Sequence, residues 1–208
     1  QSIVLMSHLA SADDLNNQST SAQLAMFEKL TSSLDEPKSL ANSAATFAWP
    51  ETHFDWIRPG LSLYGVSPMV KGKNCAKQTN VEPVMTLQSS IIAIREISAG
   101  ESVGYGGTWT SEKQTTLAVV AIGYGDGYPR HAENGTPVLI NDRIVPLIGR
   151  VSMDMITVDL GENPIDKIGD IAILWGKGLP VEDVAGYAST IPYELLCNIT
   201  RRVQIDVI

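Results

Sequence analysis

Three clusters hold residue types that can do chemistry. In Ala41-Asn42-Ser43-Ala44-Ala45 a hydroxyl stands among small residues where a strand-like run passes into a helix-like one. Backbone N–H groups point outward at a helix start, so such a segment can cradle a phosphate. Taken alone, a serine there reads as an N-cap. In Trp56-Ile57-Arg58-Pro59-Gly60 one arginine stands at the mouth of a strand between aromatic and rigid residues. A functional anion contact and a surface ion pair both suit it. The third feature is a pair of glycine-tyrosine turns, Val103-GYGGTW and Ile122-GYGDGYPR. Glycine lets the backbone adopt φ > 0 and puts a phenol on a loop, although tyrosines in such turns more often pack than catalyse.

The elements that must position these residues change character along the chain. Residues 2–7 form an apolar run of strand length, and Leu24, Phe27, Leu30 or Thr31, and Leu34 recur at helical spacing until Glu36-Pro37 stops them. Ser39–Asn42 reads as a short strand entering a helix at Ser43, and Asp55–Gly60 leads to a further buried strand over Leu61–Gly65. This order predicts parallel βα units. So few units cannot close a barrel and would expose strand edges, so the first seventy residues read as the end of something larger.

After a basic, irregular linker at Lys71–Thr79 the pattern becomes one of short strands and glycine-rich turns. Met85–Ile97 alternates only in part. Asn141-Asp142 is a tight hairpin turn between Val138–Ile140 and Arg143–Ile148. Strands follow at Met155–Leu160 and Asp170–Trp175. A single helix is expected at Val181–Thr190 and a last strand at Val203–Ile208. That is the grammar of a β domain.

The net charge of −8, from 15 basic and 23 acidic residues, argues against a nucleic-acid partner. The apolar runs are too short for a bilayer, and no leader pattern opens the chain, which begins with Gln1. Cys75 and Cys197 are expected to be free thiols in a reducing cytoplasm, with no metal-type spacing between them.

Seven segments, in order, resemble the alanine racemase family: MSHLASAD, LANSAA, IRPGLSLYG, VGYGGTW, AIGYGDGYPR, LIGRVSMDM and PYELLCNITRRV. The resemblance implies the last strands and helices of a (β/α)8 barrel over residues 1–72 and a C-terminal mostly-β domain over 73–208. It also implies pyridoxal phosphate as cofactor, alanine as substrate, and a cytoplasmic homodimer with shared active sites that serves cell-wall precursor supply or D-alanine use.

Carried over residue by residue, Ser43 and Tyr193 would bind the cofactor phosphate, with the backbone near Gly60 and Leu61. Arg58 would hydrogen-bond the pyridine nitrogen and, never giving up its own proton, keep that nitrogen unprotonated. The ring is then a weaker electron sink, which favours reprotonation over transamination. Tyr105 would be the second base, opposite the catalytic lysine and donated by the partner subunit. A free phenol ionises near pH 10, so the site must help it, and the barrel histidine that does so in the family matches none of His8, His53 and His131. Met153 would hold the substrate carboxylate through its backbone N–H, while Tyr124 and Asp154 would line the entrance and exclude large amino acids. Ser152 stands where the family often has cysteine. No lysine of the chain has the family's context, a strand-ending lysine followed by Ala-Asn-Ala-Tyr-Gly-His-Gly. The 208 residues alone are therefore expected to be inactive. A non-catalytic dimerising module and a racemase of broader amino-acid range stand as the other readings.

Overall fold

A computed structural model of the chain describes residues 2–69 and 79–207. It divides into two compact units, residues 1–84 and 85–208, each with its own packing. The expected linker lies outside the described residues except for Thr79, and so do Cys75 and a domain boundary at 72/73.

In the first unit, β1 (Leu5–Met6), β2 (Lys38–Asn42) and β3 (Trp56–Arg58) form a parallel sheet in that order, with Met6 opposite Ser39 and Asn42 opposite Arg58. Helix α1 (Ser19–Thr31) joins β1 to β2, and α2 (Ser43–Ala48) follows β2 without a break. Of the two residues that could face inward, Leu30 is 68% exposed and Thr31 is buried, its hydroxyl donating to the Phe27 carbonyl at 2.9 Å. The core is small: Leu9, Phe27 and Leu40 close over Ala12, Ala41, Ala44 and Ala45. The alanines let α2 lie close against β2, which sets where Ser43 emerges.

Two expectations for this unit need correction. Strand β1 is only two residues long, because Ile3 and Val4 are exposed and unpaired among the described residues. Leu61–Tyr64 is not a strand but one turn of 3₁₀ helix that buries Leu61 and leaves Leu63 69% exposed. Gly65 ends the turn at φ +71°, with its Cα so close to the Glu82 carbonyl that a Cβ would stand 1.5 Å from the oxygen. A run of apolar residues after Pro-Gly therefore coils instead of extending.

The second unit is built on a closed six-stranded antiparallel barrel. Its strands are β4 (Leu87–Ile97), β7 (Thr115–Val120), β8 (Pro137–Ile140), β9 (Arg143–Ile148), β10 (Ile156–Gly161) and β11 (Ile171–Trp175), in the order β10-β7-β4-β11-β8-β9. Closure leaves no open edge. The incomplete alternation of residues 85–97 has a local cause: Ile91 pairs with Val120 but Ala93 pairs with Val119, so β4 carries a bulge and Ile92 turns outward. Asn141 and Asp142 take φ values of 47° and 59° between paired Ile140 and Arg143, the two-residue turn expected from sequence.

A small hairpin, β5 (Ser102–Val103) with β6 (Trp109–Thr110), lies outside the barrel. Helix α3 (Val181–Tyr187) is followed by α4 (Pro192–Cys197), a second helix where one was expected; proline at its first position suits a helix start. The expected strand at 203–208 does not form among the described residues 203–207. Ile205 and Val207 are 82% and 95% exposed, so their alternation has no surface to bury against.

Candidate active site

Parallel strands aim their C-terminal ends in one direction, and four of the expected site residues, Ser43, Arg58, Gly60 and Leu61, stand just there. Asn42, not Ser43, caps α2: its side-chain oxygen accepts from the Ala45 N–H at 3.0 Å. That frees the buried Ser43 hydroxyl to accept the Ser62 N–H at 3.4 Å, which ties the start of α2 to the 3₁₀ turn after β3. Gly60 opens that turn, and nothing lies within 4 Å of where its Cβ would be. Ser43, Gly60 and Leu61 thus form a cluster of one hydroxyl, the open space beside Gly60, whose own N–H donates to the Arg58 carbonyl at 3.0 Å, and the first N–H groups of two short helical turns.

Arg58 ends β3. Its Nη1 donates to Ser39 Oγ at 2.7 Å and its Nη2 to the Ser7 carbonyl at 2.8 Å, with His8 Nδ1 3.5 Å away. Ser39 Oγ in turn donates to the Trp56 carbonyl at 2.8 Å. Gln23 of α1 holds the segment after β1, accepting from the Ala10 N–H and donating to the His8 carbonyl. Among the described residues no carboxylate pairs with Arg58, so the surface ion pair that its sequence context allowed is absent. A guanidinium fixed by neutral acceptors keeps its charge available for a ligand.

In the second unit Tyr105 rides the tip of the β5–β6 hairpin, 70% exposed, in a turn whose Gly104, Gly106 and Gly107 all have positive φ. The tip is anchored at its base. Asn134 donates to the Thr108 carbonyl at 3.1 Å and accepts from the Gly149 N–H at 2.7 Å. A Cβ on Gly104 would stand 2.9 Å from the Arg150 nitrogen.

Tyr124, Met153 and Asp154 are brought together. The Tyr124 N–H donates to the Ser152 carbonyl at 3.0 Å and the Gly125 N–H to the Met153 carbonyl at 2.9 Å. Ser152 closes its own turn, its hydroxyl donating to the Met155 carbonyl. The Met153 carbonyl is thus occupied, while its N–H has no acceptor among the described residues. Tyr193, on the first turn of α4, is part-exposed. The phenols of Tyr105, Tyr124 and Tyr193 all reach solvent, in contrast to Tyr128, which is buried against Trp175 and whose phenol is pushed up by desolvation. Tyr128 is a core residue.

Reading by residue type missed Arg202. Its Nε lies 3.1 Å from Asp126 Oδ1 and its Nη2 donates to Asp154 Oδ1 at 2.6 Å. The two carboxylates hold the guanidinium firmly in its charged form. Opposite charges 48 positions apart carry no signal that they will meet. Ser39 was missed for a similar reason, since nothing in KSLAN marks its hydroxyl as the support of an arginine.

No group of three or more His, Cys, Asp or Glu side chains among the described residues is arranged to hold a metal ion. Nor is any described helix long and apolar enough to cross a membrane. Cys197 is an exposed free thiol.

Comparison with known proteins places both units. The family model for the alanine racemase N-terminal domain matches residues 1–68, and that for the alanine racemase C-terminal domain matches residues 84–207. Alanine racemases of Photobacterium profundum and Vibrio cholerae are 56% and 54% identical to the chain over 200 and 201 residues, 96% and 97% of its length. Those matches cover 56% and 55% of the relatives, so the chain spans about half the length of the curated relatives it matches. Among solved structures, the biosynthetic alanine racemase of Pseudomonas aeruginosa superposes with a TM-score of 0.91 at 46% identity, over 98% of this chain and 56% of that one. Alanine racemase from Bartonella henselae, with covalently bound pyridoxal phosphate, gives 0.85 at 35% identity, over 96% and 55%. The chain belongs to the alanine racemase family.

Proposed function

We propose that the protein interconverts L- and D-alanine with pyridoxal phosphate, by proton transfer on opposite faces of the α-carbon. The observation that carries this reading is Arg58, a guanidinium held at the ends of parallel strands by Ser39 and Ser7 with no carboxylate among the described residues to neutralise it. Together with the Ser43 hydroxyl and the open space at Gly60, it makes a donor set that suits a phosphorylated heterocycle. Ser43, Gly60 and Leu61 would hold the phosphate, joined by Tyr193, and Arg58 would face the ring nitrogen. When bound, pyridoxal phosphate supplies the electron-withdrawing ring that makes an amino acid's α-hydrogen acidic.

The remaining roles belong to the second unit. The Met153 N–H, with no acceptor among the described residues, would bind the substrate carboxylate. Tyr124 and Asp154 would narrow the entrance to a small amino acid. The Tyr105 phenol would give or take the α-proton on one face. Its exposure on an anchored tip suits a residue that completes a site on another surface, and we assign that surface to the partner in a homodimer. The unpaired edges of β1 and β3 suit a sheet that continues into an eight-stranded barrel. No lysine here stands in the family's lysine context, so we place that lysine outside residues 1–208, and these residues alone should not turn over. We further assign the protein to the cytoplasm, in supply of D-alanine for the cell wall.

Tyr105→Phe in the full-length protein tests the assignment. It should lower kcat for racemisation by roughly 10²–10⁴-fold, the range of a lost acid–base group, with cofactor affinity unchanged. Racemisation at the wild-type rate would contradict it.

A further inference from the structure

We propose that Arg202 is a positioning residue whose forked guanidinium sets the spacing of Tyr124 from Met153 and Asp154, and so sets how the substrate carboxylate is held. The proposal rests on the functional reading above for its consequences, but on the structure for its geometry. Arg202 lies in the turn after Thr200. Thr200 joins the same neighbours, its N–H donating to the Asp126 carbonyl at 3.1 Å and its hydroxyl to the Gly125 carbonyl at 2.9 Å. From this fixed point the guanidinium's Nε reaches Asp126, beside Tyr124, and its Nη2 reaches Asp154, beside Met153. The second oxygen of Asp126 accepts the Gly123 N–H at 2.9 Å, so the carboxylate is oriented from both sides.

Space confirms the fit. A Cβ on Gly125 would lie 2.3 Å from Arg202 Nη1, so the glycine leaves room that the guanidinium fills. Gly125 is not at positive φ, and room is the reason for it. Charge adds a second effect. Asp126 and Asp154 together would repel an incoming carboxylate, and Arg202 offsets part of that field beside the Met153 N–H. A lysine reproduces this poorly, since its compact ammonium lacks the rigid planar fork that fixes the two carboxylates relative to each other.

The test uses the full-length protein with pyridoxal phosphate. Arg202→Ala should raise KM for alanine roughly tenfold and change kcat less than about threefold, the pattern of a lost ground-state contact. It should also narrow the ratio of kcat/KM between alanine and 2-aminobutyrate. Arg202→Lys should fall between. Gly125→Ala should act in the same direction as Arg202→Ala, because it displaces the guanidinium without removing it. Hydrogen exchange should quicken at the Gly125 and Thr200 amides and stay unchanged in the barrel strands. Unchanged KM, a loss confined to kcat, or faster exchange throughout the barrel would overturn the proposal. A wild-type protein that racemises no alanine would sink the functional reading, and the exchange pattern would then decide the bridge by itself.

Discussion

At the scale of single residues, backbone proximity decides more than side-chain chemistry. Gly123 has an ordinary extended φ, yet a Cβ there would stand 2.3 Å from the Ser152 carbonyl oxygen and 2.4 Å from that of Met153. Both are main-chain atoms, so no rotamer can move aside. Gly123→Ala should therefore push the Tyr124 turn away from Met153. It should cost roughly tenfold or more in kcat/KM, about 1.4 kcal/mol of transition-state stabilisation, read from steady-state kinetics of the full-length protein. Wild-type kinetics would show that the two segments need not touch. The glycine-tyrosine turns were legible as turns, but which glycines make room and which supply positive φ was not. Gly104 does both, Gly123 only the first. Likewise a serine at the start of α2 was legible, while the shift of the capping role to Asn42 depends on one side-chain rotamer.

At the scale of elements, turn chemistry was readable wherever it is local. Asn141-Asp142 specified its hairpin because both residues tolerate positive φ. Leu61–Tyr64 and 203–207 were misread as strands because an apolar run does not say whether a neighbouring strand exists to pair with it. Helix α4 was missed because Pro192–Cys197 is too short to show a period.

The hairpin tip also makes the fold sensitive to acid. Asp170 accepts the Asn141 amide at 2.8 Å and the Lys167 N–H at 2.9 Å, and these bonds, the Asn141 one foremost, hold its carboxyl below the usual range. A depressed folded pKa contributes stability above the unfolded value, near pH 4, which is lost as pH falls through the folded one. Denaturant titrations from about pH 7 down to pH 3, across the carboxylate range, should show Asp170→Asn less stable than wild type at the top and converging on it at the bottom. Parallel curves would remove Asp170 from the account.

At the scale of the whole molecule, the two units solve the edge problem differently. The second closes six strands on themselves, and apart from the β8–β9 hairpin its order β10-β7-β4-β11-β8-β9 follows no sequence signal, since no other pairing is closed by a tight turn. The first holds three parallel strands with β1 and β3 at its edges. Both units carry proposed site residues, and each set is oriented by its own scaffold: Arg58 by Ser39 and Ser7, Tyr124 and Met153 by Arg202. The seven family segments made the functional reading legible, because they include those oriented positions, alongside core residues such as Leu9, Leu40, Ala41 and Leu147.

The most direct test is conversion of L-alanine by the full-length protein with pyridoxal phosphate, followed by chiral separation. D-alanine should accumulate until the two enantiomers are equal, with no conversion by residues 1–208 alone. Cofactor bound at Ser43 and Arg58 with no D-alanine formed, or with pyruvate as the main product, would contradict that expectation.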